Sequence, residues 1–95
     1  MNYTWDPEKD AINRSKHGVS FETAALVFED PLHLSVLDRI VAGEERWRTM
    51  GLVNGLVILI VAHTYLEQDG QETIRIISAR KATRRERKHY EEKNY

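Results

Sequence analysis

Four histidines are the first candidates for chemistry in this sequence, because imidazole exchanges protons near neutral pH. His63 follows the apolar run Leu56–Ala62, where it could act as a general base or general acid. The alternative is a structural histidine, hydrogen-bonded at the rim of a sheet. His17 stands beside Lys16 near the end of a predicted helix, where an anion site or simple helix capping would explain the pair equally well. No two histidines have the spacing of zinc ligands, so we predict neither a metal nor a cofactor.

Arginines within the predicted strands are the second candidate group. The planar guanidinium donates parallel hydrogen bonds to a phosphate, and it is costly to bury without a partner. Four of these arginines come from neighbouring strands and could converge on phosphates: Arg46, Arg48, Arg75 and Arg80. For Arg46 and Arg75, a cross-strand salt bridge explains the pattern equally well. The available partners are Glu44, Glu45 and Glu72. For Arg80 we favour a functional role.

The charge of the chain changes sign along its length. Residues 1–74 carry 6 Lys and Arg against 12 Asp and Glu, whereas residues 75–95 carry 8 against 3. Such segregation indicates a surface that meets a polyanion or a charged partner. The cations around the start of the last helix are Lys81, Arg84 and Arg85. Beside them, Tyr90 could stack on nucleic-acid bases or could pack the helix down. A solvated helix stabilised by i,i+4 ion pairs remains the alternative for this segment.

The stretch Thr73–Lys88 positions most of these cations. Its first half is predicted to be a strand, Thr73–Ala79, because four of its residues are β-branched. Thr83 and Glu86 then have the spacing of a capping box, which predicts a helix from Arg84 to about residue 93. A dense cluster of cations therefore lies where this strand ends and the helix begins.

Two helices are predicted near the N-terminus. Pro7 suits the first helical position and begins a helix over Glu8–His17. We expect Ala11 and Ile12 in this helix to face the core. The second helix, Phe21–Phe28, has apolar residues at helical spacing.

The middle of the chain is predicted to form strands joined by short turns, which makes neighbouring strands antiparallel. These strands are Leu32–Ile40, Glu45–Val53 and Leu56–Leu66, and Asn2–Trp5 is a further candidate for an edge strand. Asn54-Gly55 is a strong hairpin signal, and the strand after it is apolar on both faces, which is typical of a central strand. The predicted fold is a single α+β domain over residues 1–95. It has a mainly four-stranded antiparallel sheet, two N-terminal helices on one face, one C-terminal helix, and a partly open second face.

Composition narrows the possible classes of protein. The chain has 95 residues, of which 41% are hydrophobic and 31% charged, as in ordinary globular domains. It has no cysteine, which excludes disulfides and thiolate chemistry and fits a cytoplasmic location. The apolar run Leu56–Ala62 is too short to cross a bilayer, and the first residues lack the apolar segment of a signal peptide.

Several motifs together resemble the BrnT family, the toxin half of a bacterial type II toxin–antitoxin system. They are Trp5-Asp6-Pro7 with Lys9 and Asn13, Lys16-His17-Gly18-Val19-Ser20-Phe21, Val27-Phe28, Asp30-Pro31, Glu45-Arg46, Gly51, His63-Thr64-Tyr65, and Ile74–Arg80 through Glu86 and Tyr90. They cover essentially the whole chain, and the KHGVSF and IRIISAR blocks are specific in combination.

The resemblance implies a fold similar to RelE-type ribonuclease toxins and an activity that cleaves RNA and thereby inhibits translation. It also implies a BrnA-type antitoxin that neutralises the toxin. The ribbon-helix-helix part of that antitoxin would bind operator DNA, so the toxin would meet DNA only indirectly.

Metal-independent RNA cleavage would need a proton-transfer group and cations around the phosphate. We expect His63 or His17 to handle the proton, and Arg46, Arg75 and Arg80 to hold the phosphate. Arg48, Lys16 and the basic helix would bind RNA, unless the antitoxin covers that helix. The competing hypothesis is a non-catalytic module that binds nucleic acid or a partner, including a degenerate toxin that only pairs with its antitoxin.

Overall fold

The computed structural model describes residues 1–94; Tyr95, the last residue of the predicted domain, lies outside the described residues. The elements in chain order are β1 (Asn2–Thr4), α1 (Pro7–His17), α2 (Phe21–Ala25), a 3₁₀ helix (Leu26–Glu29), β2 (Leu34–Val41), β3 (Glu44–Val53), β4 (Val57–Gln68), β5 (Gln71–Lys81) and α3 (Arg84–Asn94). The predicted α+β class and the order of its elements are confirmed.

The sheet has five strands in the order β1-β5-β4-β3-β2, so the prediction of mainly four strands was wrong. Strand β1 adds a fifth, and it pairs parallel to β5 with Tyr3 opposite Ile74, whereas the other neighbours are antiparallel. A parallel partner of only three residues leaves little trace in the sequence. Strand β4 is central, as its apolar character on both faces predicted.

Tight turns of left-handed residues connect the antiparallel strands. Asn54 and Gly55 have φ values of 54° and 67°, which is the conformation that a type I′ hairpin turn requires. Ala42 and Gly43 adopt the same region between β2 and β3, at 51° and 79°. The hairpin predicted at Asn54-Gly55 is therefore confirmed, and a second turn of this geometry precedes Glu44.

The second helix is shorter than predicted, because its last turn tightens into the 3₁₀ helix Leu26–Glu29. This 3₁₀ helix packs closely on β3 at Gly51. A Cβ atom at position 51 would lie 2.8 Å from the carbonyl oxygen of Val27, so only glycine allows this approach.

The core is divided between the two faces of the sheet. Helices α1 and α2 cover one face, called here the helical face, whose buried residues include Phe21, Val61 and Ile76. Helix α3 packs over one end of the opposite face, called here the open face, with Ile60 and Tyr90 in its small cluster. The prediction that two helices cover one face and leave the other partly open is confirmed.

Helix α1 buries an asparagine rather than the residues that its apolar pattern predicted. Ile12 is 58% exposed and Ala11 is also exposed, so their predicted core positions were wrong. Asn13 is 5% exposed. Its amide nitrogen donates to the carbonyl oxygens of Val19 and Ala79, both at 2.8 Å, and its oxygen accepts from the amide of Ala79 at 3.1 Å. Hydrogen bonds to the backbone, not apolar contact, therefore orient α1 on β5.

Candidate active site

All four predicted arginines lie on the open face, because β5 contains a bulge. Strict alternation would place Arg75 and Arg80 on opposite faces, since they are five residues apart. The pairing of β5 with β4 shifts by one residue between Ser78 and Ile76, so that Arg75 lies opposite Thr64 and Arg80 opposite Ile60. A bulge of this kind re-aims side chains at functional edges. Arg46 and Arg48 come from β3 on the same face.

Arg46 and Arg75 converge on one atom. Nη2 of Arg75 donates to Oε1 of Glu44 at 2.7 Å, and Nε of Arg46 lies 3.3 Å from the same oxygen. The salt bridge considered from the sequence for these two residues therefore exists, with Glu44 as the shared partner. The side chains of Arg46 and Arg75 are partly accessible, at 30% and 39% exposed, although Nε of Arg46 itself is buried. Two cations that meet at one anionic oxygen form a geometry that suits a phosphate.

Arg80 forms an ion pair with a different carboxylate, that of Glu86. Its Nη1 and Nη2 donate to the two carboxylate oxygens of Glu86 at 2.7 and 3.0 Å. These hydrogen bonds lower the pKa of Glu86 to about 2. Glu86 also accepts from the amide of Thr83, and its own amide donates to the Thr83 hydroxyl, which confirms the predicted capping box. Arg80 thus fixes the first turn of α3 to β5.

A shallow groove follows the edge of β5 beside α1. One hollow, of about 240 Å³, is lined by Lys9, Arg46 and Arg75 with Ile77. A second, of about 180 Å³, is lined by Lys9 and Ile77 again, and by Lys16 and His17. Because Lys9 and Ile77 line both hollows, the two lie side by side, and the name edge groove is used below for both together. The groove brings the predicted cations of α1 to the predicted arginines of the sheet.

His63 lies on the helical face and is fully buried. Its Nε2 is hydrogen-bonded to the hydroxyl of Thr49 at 2.7 Å, and its ring packs edge-on against Phe28 and Tyr65 at centroid distances of 4.8 and 5.1 Å. Burial lowers the pKa of His63 to about 4, so the ring is neutral at neutral pH. The structure does not bring His63 together with the arginines of the open face.

Other predicted contacts for a polyanion are spread around α3. Lys81, Arg84 and Arg85 are exposed, and Arg48 is paired with Asp38 at 3.4 Å. Tyr90 is 3% exposed, and its hydroxyl donates to the carboxylate of Asp30 at 2.5 Å. The ring of Tyr90 packs α3 down in this structure, which is the alternative that the sequence left open. Within residues 1–94, no group of three or more His, Asp or Glu side chains is arranged to hold a metal ion.

Comparison with known proteins agrees with the motifs. A family model described as the ribonuclease toxin BrnT of type II toxin–antitoxin systems matches residues 5–86. The chain belongs to the BrnT family.

The crystal structure of the Brucella abortus ribonuclease toxin BrnT is similar to this BrnT-family chain, with a TM-score of 0.64 and 31% sequence identity. The similarity covers 88% of this chain and 99% of that chain. No curated protein matches significantly. The predicted resemblance is confirmed, and so is membership of a family of ribonuclease toxins. These findings do not test individual site residues, whose predicted roles stay predictions.

Two residues that lie at the candidate site were not singled out as functional candidates from the sequence. Lys9 lines both hollows of the edge groove. Its position relative to Asn13 and Lys16 was a usable signal, because intervals of four and three residues place all three on one stripe of a helix. Thr64 is fully buried opposite Arg75, with no hydrogen-bond partner for its hydroxyl among residues 1–94. No local pattern marks such a residue.

Proposed function

We propose that this BrnT-family toxin cleaves RNA without a metal ion, by attack of a 2′-hydroxyl on the adjacent phosphate. A base takes the proton of the hydroxyl, the 2′ oxygen bonds to phosphorus, and the bond from phosphorus to the 5′ oxygen breaks. The leaving oxygen accepts a proton. The products are a 2′,3′-cyclic phosphate and a 5′-hydroxyl. Cations around the phosphate stabilise the charge that develops in the transition state.

The observation that carries this proposal is the convergence of Arg46 and Arg75 on a single carboxylate oxygen. The same two guanidinium groups would hold two oxygens of a phosphodiester, with Lys9 as a third cation in the same hollow. Arg80 would contribute indirectly, because its hydrogen-bonding capacity is directed to Glu86 and fixes α3.

For proton transfer we favour His17 over His63. His17 lies in the edge groove beside Lys16, where RNA that follows the groove would reach it. His63 is buried under the 3₁₀ helix, and RNA would reach its ring only after that helix moved. Catalysis by His63 would therefore require a different conformation of the chain, whereas His17 already lines the groove beside Lys9.

Analysis of the products tests the reaction. Purified toxin in excess EDTA should cut RNA into fragments that end in a 2′,3′-cyclic phosphate, and should not cut a 2′-fluoro oligonucleotide of the same sequence. Cleavage that requires a divalent metal, or that leaves 5′-phosphate ends, would overturn the mechanism. Retained RNA binding without cleavage would instead favour the non-catalytic alternative, in which the ion pairs of the arginines are purely structural.

The cellular role follows from the family. We propose that the toxin acts in the cytoplasm, that RNA cleavage inhibits translation, and that a BrnA-type antitoxin neutralises it and carries the contact with operator DNA. We also propose a relationship to RelE-type toxins, which the motifs of the family imply. Growth arrest on induction, relieved by co-expression of the antitoxin, is the expected result.

Strand β2 offers the antitoxin an apolar surface. It is an edge strand, and Val36, on the open face opposite Arg48, is 52% exposed. Free edges and exposed apolar patches are typical of surfaces that bind another chain. A hollow of about 360 Å³ continues from Val36 towards α3, where Arg85 and Arg48 line its sides. This combination suits a partner segment with apolar and acidic side chains.

A further inference from the structure

Glu44 occupies the centre of the proposed phosphate site. Its Oε1 lies 2.7 Å from Nη2 of Arg75 and 3.3 Å from Nε of Arg46. The two arginines come from β3 and β5, which are separated by β4, so the carboxylate spans a gap across the sheet. A carboxylate oxygen between two guanidinium groups has the same charge sign and hydrogen-bonding role as a phosphate oxygen.

The carboxylate satisfies this site only in part. Nε of Arg46 is buried and makes no hydrogen bond to any of residues 1–94, although Oε1 of Glu44 lies 3.3 Å away. The hydroxyl of Thr64, which lies opposite Arg75, is likewise buried without a partner in the described chain. Buried polar groups are normally hydrogen-bonded, and unsatisfied ones in native proteins call for an explanation such as a catalytic role. Here the unsatisfied groups lie on the two strands beside the shared oxygen.

The balance of charge also favours a further anion. The hollow that Arg46 and Arg75 line also includes Lys9, and the acidic groups at this place are Asp6 and Glu44. The side-chain oxygen of Asp6 accepts from the amide of Glu8 as the N-cap of α1, so its carboxylate is already engaged. Without the charge of Glu44, three cations would face one carboxylate.

We propose that Glu44 is a built-in competitor for the RNA phosphodiester, and that substrate binds by displacing its carboxylate from Arg46 and Arg75. This inference rests on the proposed function, because it concerns the same phosphate site. Glu44 is the first residue of β3, directly after the tight turn at Ala42-Gly43, and is 34% exposed as a side chain. Its side chain can therefore rotate towards solvent while the backbone pairing of the hairpin persists.

Binding of a 2′-fluoro RNA oligonucleotide, which has RNA's phosphates but no attacking hydroxyl, tests the competition. Glu44→Gln keeps the size of the side chain and removes its charge, so it should tighten binding about fivefold to tenfold, the effect expected from losing its two partly exposed ion pairs. The matched control is Glu45→Gln, which removes the same charge one residue away on an exposed position. Equal affinities of the two variants would overturn the proposal, because the gain would then reflect net charge alone.

Stabilisation by inorganic phosphate gives a second readout that does not depend on RNA. Phosphate should raise the melting temperature of Glu44→Gln more than that of the wild type or of Glu45→Gln, since the site is vacated only in the first variant. The same small shift in all three proteins would contradict a competing carboxylate. The test remains valid if loss of Glu44 lowers stability, because the melting temperature of each variant is compared with and without phosphate.

The Arg46→Ala, Arg75→Ala double variant separates this inference from the proposed function. If it keeps full RNA binding and cleavage, the phosphate site itself is wrong. If it loses them while Glu44→Gln binds no better than Glu45→Gln, the site is right and the competition is wrong.

Discussion

Arg80 and Glu86 form a two-point ion pair in which both guanidinium Nη atoms donate to the carboxylate, at 2.7 and 3.0 Å. The pair joins the end of β5 to the first turn of α3. An arginine that sequence reasoning favoured as functional therefore has a clear structural task. The same carboxylate closes the capping box at Thr83, so one glutamate organises both the helix start and its attachment to the sheet.

A double-mutant cycle measures this attachment. Arg80→Ala and Glu86→Gln should each lower the free energy of unfolding, and together they should lower it by less than the sum, with a coupling of about 1 kcal/mol. Urea unfolding of the four proteins gives the value. Strictly additive changes in the free energy of unfolding would show that the pair does not stabilise α3. Arg80 would then again be a candidate for binding RNA.

The buried His63 makes stability depend on pH in a defined window. Its pKa is about 4 in the folded protein and 6.5 in the unfolded chain, so between these values the unfolded state binds more protons. The contribution of the buried, neutral His63 to the free energy of unfolding is therefore fully present above pH 6.5. It decreases as the pH is lowered towards 4, by up to about 3 kcal/mol. Chemical unfolding at a series of pH values measures this slope.

Two variants attribute the slope to His63. His63→Gln removes the titrating group and should flatten the dependence between pH 6.5 and 4, while His89→Gln, at an exposed position, should leave it unchanged. A slope that persists in His63→Gln would mean that another group causes the loss. Below pH 4.5 a further loss is expected from Glu86, because its pKa is about 2 in the folded protein, so the unfolded state binds more protons between these values.

Asn13 is predicted to be a major determinant of stability. Asn13→Ala would leave the carbonyls of Val19 and Ala79 and the amide of Ala79 buried without this partner, at a cost of about 2 kcal/mol or more. Asn2→Ala is the control, because Asn2 makes a single exposed hydrogen bond to Gln71. Thermal unfolding should separate the two variants clearly, and equal stabilities would contradict the role given to Asn13.

Local patterns predicted most of the fold because they act over short distances. The capping box at Thr83, the hairpin turn at Asn54-Gly55 and the apolar run of β4 each depend on neighbouring residues. The pairing of β1 with β5 was not predictable in the same way, because it joins residues about seventy positions apart through three backbone positions.

The site was harder to predict, because its layout depends on the bulge in β5. Two adjacent apolar residues, Ile76 and Ile77, interrupt the alternation of the strand, and this was the available signal for Arg75 and Arg80 sharing a face. Alternation also placed His63 and Tyr65 together, but it could not say which face the helices would cover. Which face the helices cover depends on long-range packing. His63 lies on the covered face, and the arginines lie on the other.

The antitoxin surface has its own test at Val36. Val36→Glu should weaken binding of the BrnA-type antitoxin at least about tenfold. The new carboxylate would be placed in an apolar contact, and it would repel the acidic side chains that the surface suits. Val36→Thr, of nearly the same shape, is the control and should bind almost normally. The residue is 52% exposed on an edge strand, so neither change should affect folding. Undiminished binding by Val36→Glu would place the antitoxin elsewhere.

The most direct test of the central claim is the rate of RNA cleavage by purified protein in excess EDTA, for Arg46→Ala, Arg75→Ala and Arg39→Ala. Arg39 is exposed, pairs with its neighbour Asp38, and lies directly opposite Arg46 on the next strand, so it reports the effect of removing a positive charge beside the site without removing a phosphate contact. We predict losses of roughly a hundredfold or more for the first two variants, by analogy with removal of a transition-state hydrogen-bond donor, and a much smaller loss for the third. Equal rates for all three folded variants and the wild type would contradict a phosphate site at Arg46 and Arg75.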